Sequence, residues 1–272
     1  MEKIGENIYV ETGFRGCNPS FVVTSDGVVM IDSPQNPTNA VEWRDKIKEK
    51  GEVKYLINTE PHGDHVMGNF FFPGVVIAQQ GTREAVLSMS VSMIKERVQA
   101  IDPDGMRYLD GYEVKIPSLT FTDRLTLHLG NHTFELIHLP GHTASETAVY
   151  VPEERVVFTG DNIFYKTQTF MQQALPEEWL KSLERIGELE VDWLVPGHGQ
   201  ICNKDYLPEQ AAFIQDWLGA IKDAIKKGMT KEEAYQSISF LDRYPMDTGL
   251  EAMGEMVQHM NIDRLYELYQ GK

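Results

Sequence analysis

The sequence has almost no cysteine, no long apolar run and no excess of basic residues. Its 272 residues include only two cysteines, Cys17 and Cys202, so neither a disulfide framework nor a zinc site made of four cysteines can form. No apolar stretch approaches the roughly 18 residues of a membrane span, so no membrane partner is expected. The N-terminus lacks a basic region followed by an apolar stretch. We therefore expect no signal peptide and predict a cytoplasmic protein.

The charge balance is strongly acidic, with a formal net charge of −16. A polyanion would be repelled by such a surface, so we expect no nucleic-acid partner. Hydrophobic residues make up 42% and charged residues 24% of the chain, which excludes a wholly disordered protein. The composition leaves open whether the chain forms a homo-oligomer.

Short β-branched and aromatic runs alternate with helical segments over residues 1–205. The predicted strands cover residues 8–10, 21–23, 28–31, 53–57, 75–78, 119–121, 125–129, 134–139, 147–151, 156–158 and 193–195. Helical propensity covers residues 38–50, 82–101 and 176–189. This order predicts an α/β fold with strands sandwiched between helices. Strand signals stop after Tyr206, so residues 206–272 are predicted to form a helical extension that packs on the first 205 residues.

Potential metal ligands collect in short segments that follow predicted buried strands. The first segment holds Glu60, His62, Asp64 and His65. Alternate residues of an extended chain face the same side, so the first three can converge. The turn at Gly63 then brings His65 round to join them. Four potential ligands within six residues are unusual for a loop that binds no metal.

Two further histidines lie in proline-glycine turns. His142 stands in Pro140-Gly141-His142-Thr143, and His198 in Pro196-Gly197-His198-Gly199, while Asp161 lies between them at the end of a predicted strand. Imidazole and carboxylate together suit zinc, iron or manganese. Any one of these residues is better explained as an ordinary polar residue in a turn. The set of seven is not, and it predicts a metal site.

Together these segments resemble the signature of the metallo-β-lactamase superfamily. That signature is His-x-His-x-Asp-His, then a histidine in Pro-Gly-His-Thr, then an aspartate, then Pro-Gly-His-Gly, and the match covers roughly residues 4–203. The resemblance implies an αββα sandwich, here with a C-terminal helical appendage, and two metals along one edge of its sheets. It implies that one metal lies among Glu60, His62 and His142, a second among Asp64, His65 and His198, and that Asp161 bridges the two.

Glu60 departs from the signature because the family has a histidine at this position. A carboxylate is a harder, anionic ligand, so we expect two divalent ions, with zinc first and iron or manganese better tolerated than in an all-histidine site. The alternative is that Glu60 lies off the site and that the first metal is poorly held or absent. Asp161, where some members have a cysteine, resembles the thioesterase and lactonase branches more than the antibiotic-degrading branch.

These features predict a hydrolase that cleaves an acyl bond of a small molecule, namely a thioester, lactone, ester or β-lactam-like amide. The nucleophile would be a hydroxide that bridges the two metals, and Asp64 would both ligate the second metal and orient the hydroxide. One alternative is a non-haem iron oxidoreductase similar to the sulfur dioxygenases of the same superfamily. The other is a small-molecule-binding relative without catalysis.

Several further residues are predicted to lie near the ligands. Asp32, which ends a strand, is expected either to hydrogen-bond a ligand histidine or to cap its turn. His138, two residues before the Pro-Gly-His turn, is expected to support the site without binding metal. Cys202 is interpreted as a buried, inert thiol. The segment from Asp242 to Met246 is expected to reach over the site as a lid.

Overall fold

The structure is a computed structural model that describes residues 1–270. Within them the strands are β1 (Glu2–Ile4), β2 (Ile8–Val10), β3 (Ser20–Thr24), β4 (Gly27–Ile31), β5 (Val53–Ile57), β6 (Val75–Gln79), β7 (Leu119–Phe121), β8 (Arg124–Leu129), β9 (His132–His138), β10 (Thr147–Val151), β11 (Val156–Tyr165) and β12 (Trp193–Gly199). The α-helices are α1 (Pro37–Lys48), α2 (Gly63–Val66), α3 (Gln80–Leu87), α4 (Val91–Ile101), α5 (Pro176–Gly187), α6 (Leu207–Lys226), α7 (Lys231–Ser237) and α8 (Gly254–Tyr269).

The strands form two mixed sheets in chain order. The first sheet runs from β1 to β7, antiparallel from β1 to β4 and parallel from β4 to β7. The second runs from β8 to β12, and only its last pair, β11 and β12, is parallel. Parallel neighbours place the carboxyl ends of their strands at one edge, where loops can build a site.

Both faces of each sheet are apolar, as a four-layer fold requires. In β4, Val29 and Ile31 point to the cluster between the sheets, while Val28 and Met30 point to the outer helical layer. Successive side chains of a strand face opposite sides, so a continuous apolar run buries both faces. The αββα sandwich predicted from the sequence is therefore confirmed.

Helices cover the outer face of each sheet. On the first sheet, Trp43 of α1 is fully buried against the side chains of β3 to β6. On the second, Trp179 of α5, Trp217 of α6 and Tyr266 of α8 share one cluster with Val157 of β11. The helical appendage thus packs through a common core with the second sheet. A domain boundary after residue 205 stays a prediction. Within residues 1–270, no helix has the length and apolarity to cross a bilayer.

Two local expectations were wrong. The helical segment at 82–101 is two helices, because the chain breaks at Ser88–Ser90, where the Ser88 hydroxyl donates to the Ala85 carbonyl at 2.7 Å. Asp161 lies within a strand, not at its end. β11 continues to Tyr165, with register shifts against β12 on either side of Gly160, whose φ is +53°. This irregularity keeps the strand paired while it turns Asp161 into the site.

Candidate metal centre

The structure brings all seven predicted ligands together, although they are scattered over residues 60–198. They form two adjoining groups in which the nitrogen and oxygen atoms lie within 4.8 Å of one another. The first group contains Glu60, His62, His142 and Asp161, and the second contains Asp64, His65 and His198. This division matches the one that the family resemblance implies.

Asp161 and Glu60 each reach side chains of both groups. Asp161 Oδ2 lies 3.5 Å from His142 Nε2 and 3.3 Å from His198 Nε2, so this carboxylate stands between the groups. The Glu60 carboxylate lies 2.9 Å from His62 Nδ1 and 3.1 Å from His65 Nε2. Glu60 therefore lies within the site, and its side chain is fully buried.

Hydrogen bonds outside the groups orient three of the imidazoles. The Nδ1 atom of His65 lies 2.9 Å from Asp32, that of His142 donates to the Phe170 carbonyl at 2.8 Å, and that of His198 lies 2.7 Å from Asp247. An Nδ1–H bonded to oxygen leaves Nε2 with a free lone pair. In all three residues Nε2 is the atom nearest the carboxylates of the site.

The carboxylates make the centre strongly attractive to positive charge. Burial lowers the pKa of His65, but Asp161, Asp32 and Glu60 outweigh burial and raise it well above its usual value. The same opposition between burial and Glu60 raises the pKa of His62 to about 9. Burial raises the pKa of Asp161, yet His198 and His65 hold it well below the usual range. Positive charge close to these carboxylates is therefore stabilised, as a protonated histidine or as a bound cation.

The donor set fits divalent metal ions. Glu60 Oε2, His65 Nε2 and Asp161 Oδ1 are buried and have no hydrogen-bond partner of acceptable geometry. Buried polar atoms without partners are costly, and a cation would satisfy all three at once. Mixed imidazole and carboxylate ligands suit zinc, iron or manganese.

Close approach of the backbone is needed at Gly197. A Cβ atom on this residue would overlap Asp161 Oδ1, so only glycine allows the end of β12, which carries His198 and was expected to be a turn, to pass beside the carboxylate. This requirement explains the glycine that precedes His198.

A cavity of about 330 Å³ opens onto the two groups. His62, Asp64, His142, Asp161 and His198 line its floor. Its walls come from loops, from α4 and from the C-terminal segment, and they consist of Arg15, Gln35, Arg97, Ile101, Phe170, Gln172, Leu250, Met253, Met256 and Met260. The volume is that of a small-molecule site.

Of the residues predicted to lie near the ligands, Asp32 contacts a ligand histidine directly, whereas His138 supports only a neighbouring loop. Asp32 receives hydrogen bonds from the Thr59 backbone N–H at 2.8 Å and from its hydroxyl at 2.6 Å, besides its contact with His65. His138 does not touch the seven ligands in the part of the chain described. Its Nε2 donates to the Ala144 carbonyl at 2.8 Å, so it supports the loop after His142 and no ligand directly. Burial raises the pKa of the Cys202 thiol to about 12, which makes it inert.

The C-terminal segment that reaches the site begins a few residues after the predicted one, Asp242 to Met246. The cavity wall starts at Leu250, and Asp247 rather than the 242–246 segment contacts the site. The earlier residues are held elsewhere, since the Tyr244 and Pro245 carbonyls accept hydrogen bonds from Gln168. The signal that could have found Asp247 is weak, because a single carboxylate in a polar loop has no motif around it.

Glu146 is a second supporting residue that no sequence pattern indicated. This residue is fully buried; Oε1 accepts the backbone N–H of Asp161 at 2.9 Å and Oε2 accepts the Thr143 hydroxyl at 3.1 Å. It therefore ties the strand that carries Asp161 to the turn that carries His142. Burial, with Glu60 and Asp161 nearby, raises its pKa well above the usual value.

Comparison with known proteins gives consistent similarities. A family profile described as the metallo-beta-lactamase superfamily matches residues 12–198. The beta-lactamase-like protein 2 homolog of Caenorhabditis elegans is 24% identical over 195 residues, which cover 70% of this chain and 58% of that protein. The hydroxyacylglutathione hydrolase of Brucella anthropi is 28% identical over 204 residues, 71% of this chain and 66% of that protein. The chain thus spans less than two thirds of either relative's length.

A solved structure shares the fold at low identity. The sec-alkylsulfatase Pisa1 from Pseudomonas sp. aligns with a TM-score of 0.71 and 16% identity, covering 97% of this chain and 49% of that one. This similarity extends over the C-terminal helices as well as the two sheets.

Proposed function

Because the chain belongs to the metallo-beta-lactamase superfamily, we propose that it is a metal-dependent hydrolase that cleaves an acyl bond of a small molecule. The observation that carries the proposal is the meeting of seven imidazole and carboxylate side chains in two adjoining groups, five of which line the floor of one cavity. Thioester, lactone, ester and β-lactam-like amide bonds all fit this chemistry. The thioester comes first, since the Brucella relative is named as a hydrolase of an acylglutathione.

The two groups would hold two divalent ions, one among Glu60, His62 and His142, the other among Asp64, His65 and His198, with Asp161 shared. Bound there, the ions would lower the pKa of a water molecule and polarise the carbonyl of the substrate.

The protein's own side chains would position the reacting partners. Asp64 lines the cavity, and its Oδ2 lies 3.4 Å from His198 Nε2, so its carboxylate can accept a hydrogen bond from the attacking water and orient it. The methionines of the C-terminal segment line the cavity beside the candidate ligands. Cys17 and Cys202 are both buried, and neither supplies the nucleophile.

Hydrolysis assays with defined metals test the proposal. Protein reconstituted with zinc, manganese or ferrous iron should hydrolyse at least one member of a panel of thioesters, lactones, esters and β-lactams. Asp161→Ala should abolish that activity, whereas Asp192→Ala, at an exposed position just before β12, should retain it. A secondary alkyl sulfate belongs in the panel because of the sulfatase neighbour. Sulfate-ester cleavage without acyl hydrolysis would overturn the acyl assignment.

A second candidate is iron-dependent oxidation, which Glu60 favours because a buried carboxylate in place of an imidazole is a harder ligand. Oxygen uptake by the iron-loaded protein with a persulfide, and no hydrolysis of the panel, would select this second function.

A third candidate function is binding without catalysis. It would be selected if a small acyl compound bound the metal-loaded protein and was never turned over.

A further inference from the structure

Two arginines line the same cavity as the candidate metal ligands. Arg15 lies in the loop between β2 and β3, and Arg97 lies on α4. The chain carries 41 acidic and 25 basic residues, so two positive side chains in one small cavity run against the overall balance. Neither arginine has a carboxylate within 4.0 Å among residues 1–270.

Gln35 links the Arg97 side chain to the backbone of Arg15. Its Oε1 accepts from Arg97 Nη2 at 2.8 Å and from Arg97 Nε at 3.3 Å, while its Nε2 donates to the Arg15 carbonyl at 3.2 Å. Gln35 itself is only 2% exposed, so this link is rigid. Its bonds fix one side of the Arg97 guanidinium and leave the Nη1 donors for another partner.

Arg15 has a polar atom that needs an acceptor. Its Nε is buried and forms no hydrogen bond in the described structure, and its side-chain methylenes lie against Gly249 of the C-terminal segment. A buried N–H on a charged group is costly without a partner. A ligand oxyanion in the cavity, bound by the terminal nitrogens of Arg15, would compensate the charge of this partly buried guanidinium. Guanidinium groups bind planar oxyanions through paired hydrogen bonds, which makes a carboxylate the best match.

Another part of the cavity wall is apolar and deformable. Leu250, Met253, Met256 and Met260, all from the C-terminal segment, form this wall. Methionine side chains are unbranched and polarisable, and they adapt to flexible aliphatic chains. The cavity therefore offers three chemically distinct surfaces to one molecule: the candidate metal ligands, a pair of arginines and a methionine wall.

We propose that Arg15 and Arg97 bind a carboxylate of the substrate while the methionine wall contacts its aliphatic chain. The substrate class is then an acyl compound whose acyl chain ends in a carboxylate, such as the monothioester of a dicarboxylic acid. This proposal rests on the proposed hydrolase function and specifies its substrate. In this proposal Arg15 and Arg97 determine which substrate is preferred. The bond that is hydrolysed lies at the end of the acyl chain opposite to the bound carboxylate.

A matched pair of substrates tests the specificity. The metal-loaded protein is assayed with N-acetylcysteamine monothioesters of adipic acid and of hexanoic acid, which share a six-carbon acyl chain and differ in the terminal carboxylate. We expect kcat/KM to favour the adipoyl compound about tenfold, mainly through KM, since a hydrogen-bonded ion pair of this kind has that magnitude. Arg15→Gln and Arg97→Gln should each reduce the ratio towards one, and Arg97→Lys should restore part of it.

Arg124→Gln is the matched control, because Arg124 is exposed on β8 and does not line the cavity. It should leave the adipoyl to hexanoyl ratio unchanged. An equal rate for the two thioesters in the wild-type protein, or an unchanged ratio in both arginine variants, would overturn the proposal.

A binding measurement separates this proposal from the proposed function. Calorimetry compares adipate with hexanoate, and hexyl sulfate with hexanol, on the metal-loaded wild-type and Arg97→Gln proteins. Tighter binding of adipate that is lost in Arg97→Gln supports the carboxylate site even if no thioester is hydrolysed, in which case only the hydrolase function fails. Thioester hydrolysis without any preference for adipate overturns the site and leaves the function standing. Selective binding of hexyl sulfate alone would overturn the choice of carboxylate.

Discussion

Glu60 is one of three carboxylates among the seven candidate ligands, together with Asp64 and Asp161. Its side chain is fully buried and lies within 3.1 Å of His65 and 2.9 Å of His62, so it contacts one histidine of each group. A buried carboxylate in this position is stable only if it is compensated by positive charge. The geometry favours a ligand role over a position off the site, and this choice can be measured.

Replacing Glu60 should change how much metal the protein holds. We expect Glu60→Ala to retain about one divalent ion in place of about two, because the group with His62 and His142 loses its only carboxylate besides Asp161. Glu60→His should retain both ions and shift the preference towards zinc. The measurement is elemental analysis after dialysis. Glu84→Ala, on the exposed face of α3, is the control. Equal metal content in Glu60→Ala and the wild type would place Glu60 outside the ligand set.

Glu146 should contribute to stability through the two hydrogen bonds that it accepts. We expect Glu146→Ala to lower the free energy of unfolding by about 2–3 kcal/mol, because it leaves the buried N–H of Asp161 and the hydroxyl of Thr143 without acceptors. Urea denaturation measures this change. Glu135→Ala, on a partly exposed position of β9, should cost less than about 1 kcal/mol. A similar loss in both variants would show that Glu146 has no special role.

At the scale of elements, the site depends on how closely its loops approach each other. The end of β12 carries His198 past Asp161, and Gly197 is the point of closest approach. We expect Gly197→Ala to destabilise the fold by several kcal/mol, or to prevent metal binding, because the added methyl group overlaps the carboxylate.

Gly219 provides the matched control for this substitution. It lies in α6, and a Cβ there would meet no other atom within 4 Å. Gly219→Ala should therefore raise the free energy of unfolding by about 0.5–1 kcal/mol through helix propensity. Thermal or urea denaturation of both variants gives the comparison. If Gly197→Ala and Gly219→Ala changed the free energy of unfolding in the same direction and by a similar amount, the close approach at Gly197 would be contradicted.

The C-terminal segment is tied to the site through Asp247. Its carboxylate lies 2.7 Å from His198 Nδ1 and helps to hold the ring with Nε2 towards the other ligands. Outer hydrogen bonds of this kind change metal affinity by roughly ten- to a hundredfold. We expect Asp247→Asn to lower the affinity of the second group by about tenfold, measured by chelator competition.

Asp242→Asn serves as the control for Asp247. Asp242 is exposed in the same segment and makes no contact with His198 in the described structure. Its substitution should leave metal affinity unchanged. If both variants held metal as tightly as the wild type, Asp247 would have no part in orienting His198.

At the scale of the whole molecule, the sequence predicts the scaffold better than the walls of the site. The two-faced apolar strands predict the sandwich, and the spacing of Glu60 to His65, with the two proline-glycine-histidine turns, predicts the ligands. Local patterns suffice there, because strand periodicity and turn chemistry act over a few residues.

Residues that act from a distance could not be predicted in this way. Asp247 reaches His198 across 49 residues, and Gln35 links the Arg97 side chain to the Arg15 backbone. Each is an ordinary charged residue in its own segment, and only tertiary packing gives it a role. The break at Ser88–Ser90 was missed for another reason, since serine hydroxyls compete with helical hydrogen bonds without excluding a helix.

Elemental analysis of the purified protein tests the central claim, that seven side chains from distant parts of the chain hold two divalent ions. The structure predicts about two equivalents of metal per chain in the wild type and close to none in Asp161→Ala, because that carboxylate is shared by both groups. Wild-type protein that takes up no metal when zinc, manganese or ferrous iron is supplied would contradict the claim, as would an Asp161→Ala variant that keeps both equivalents.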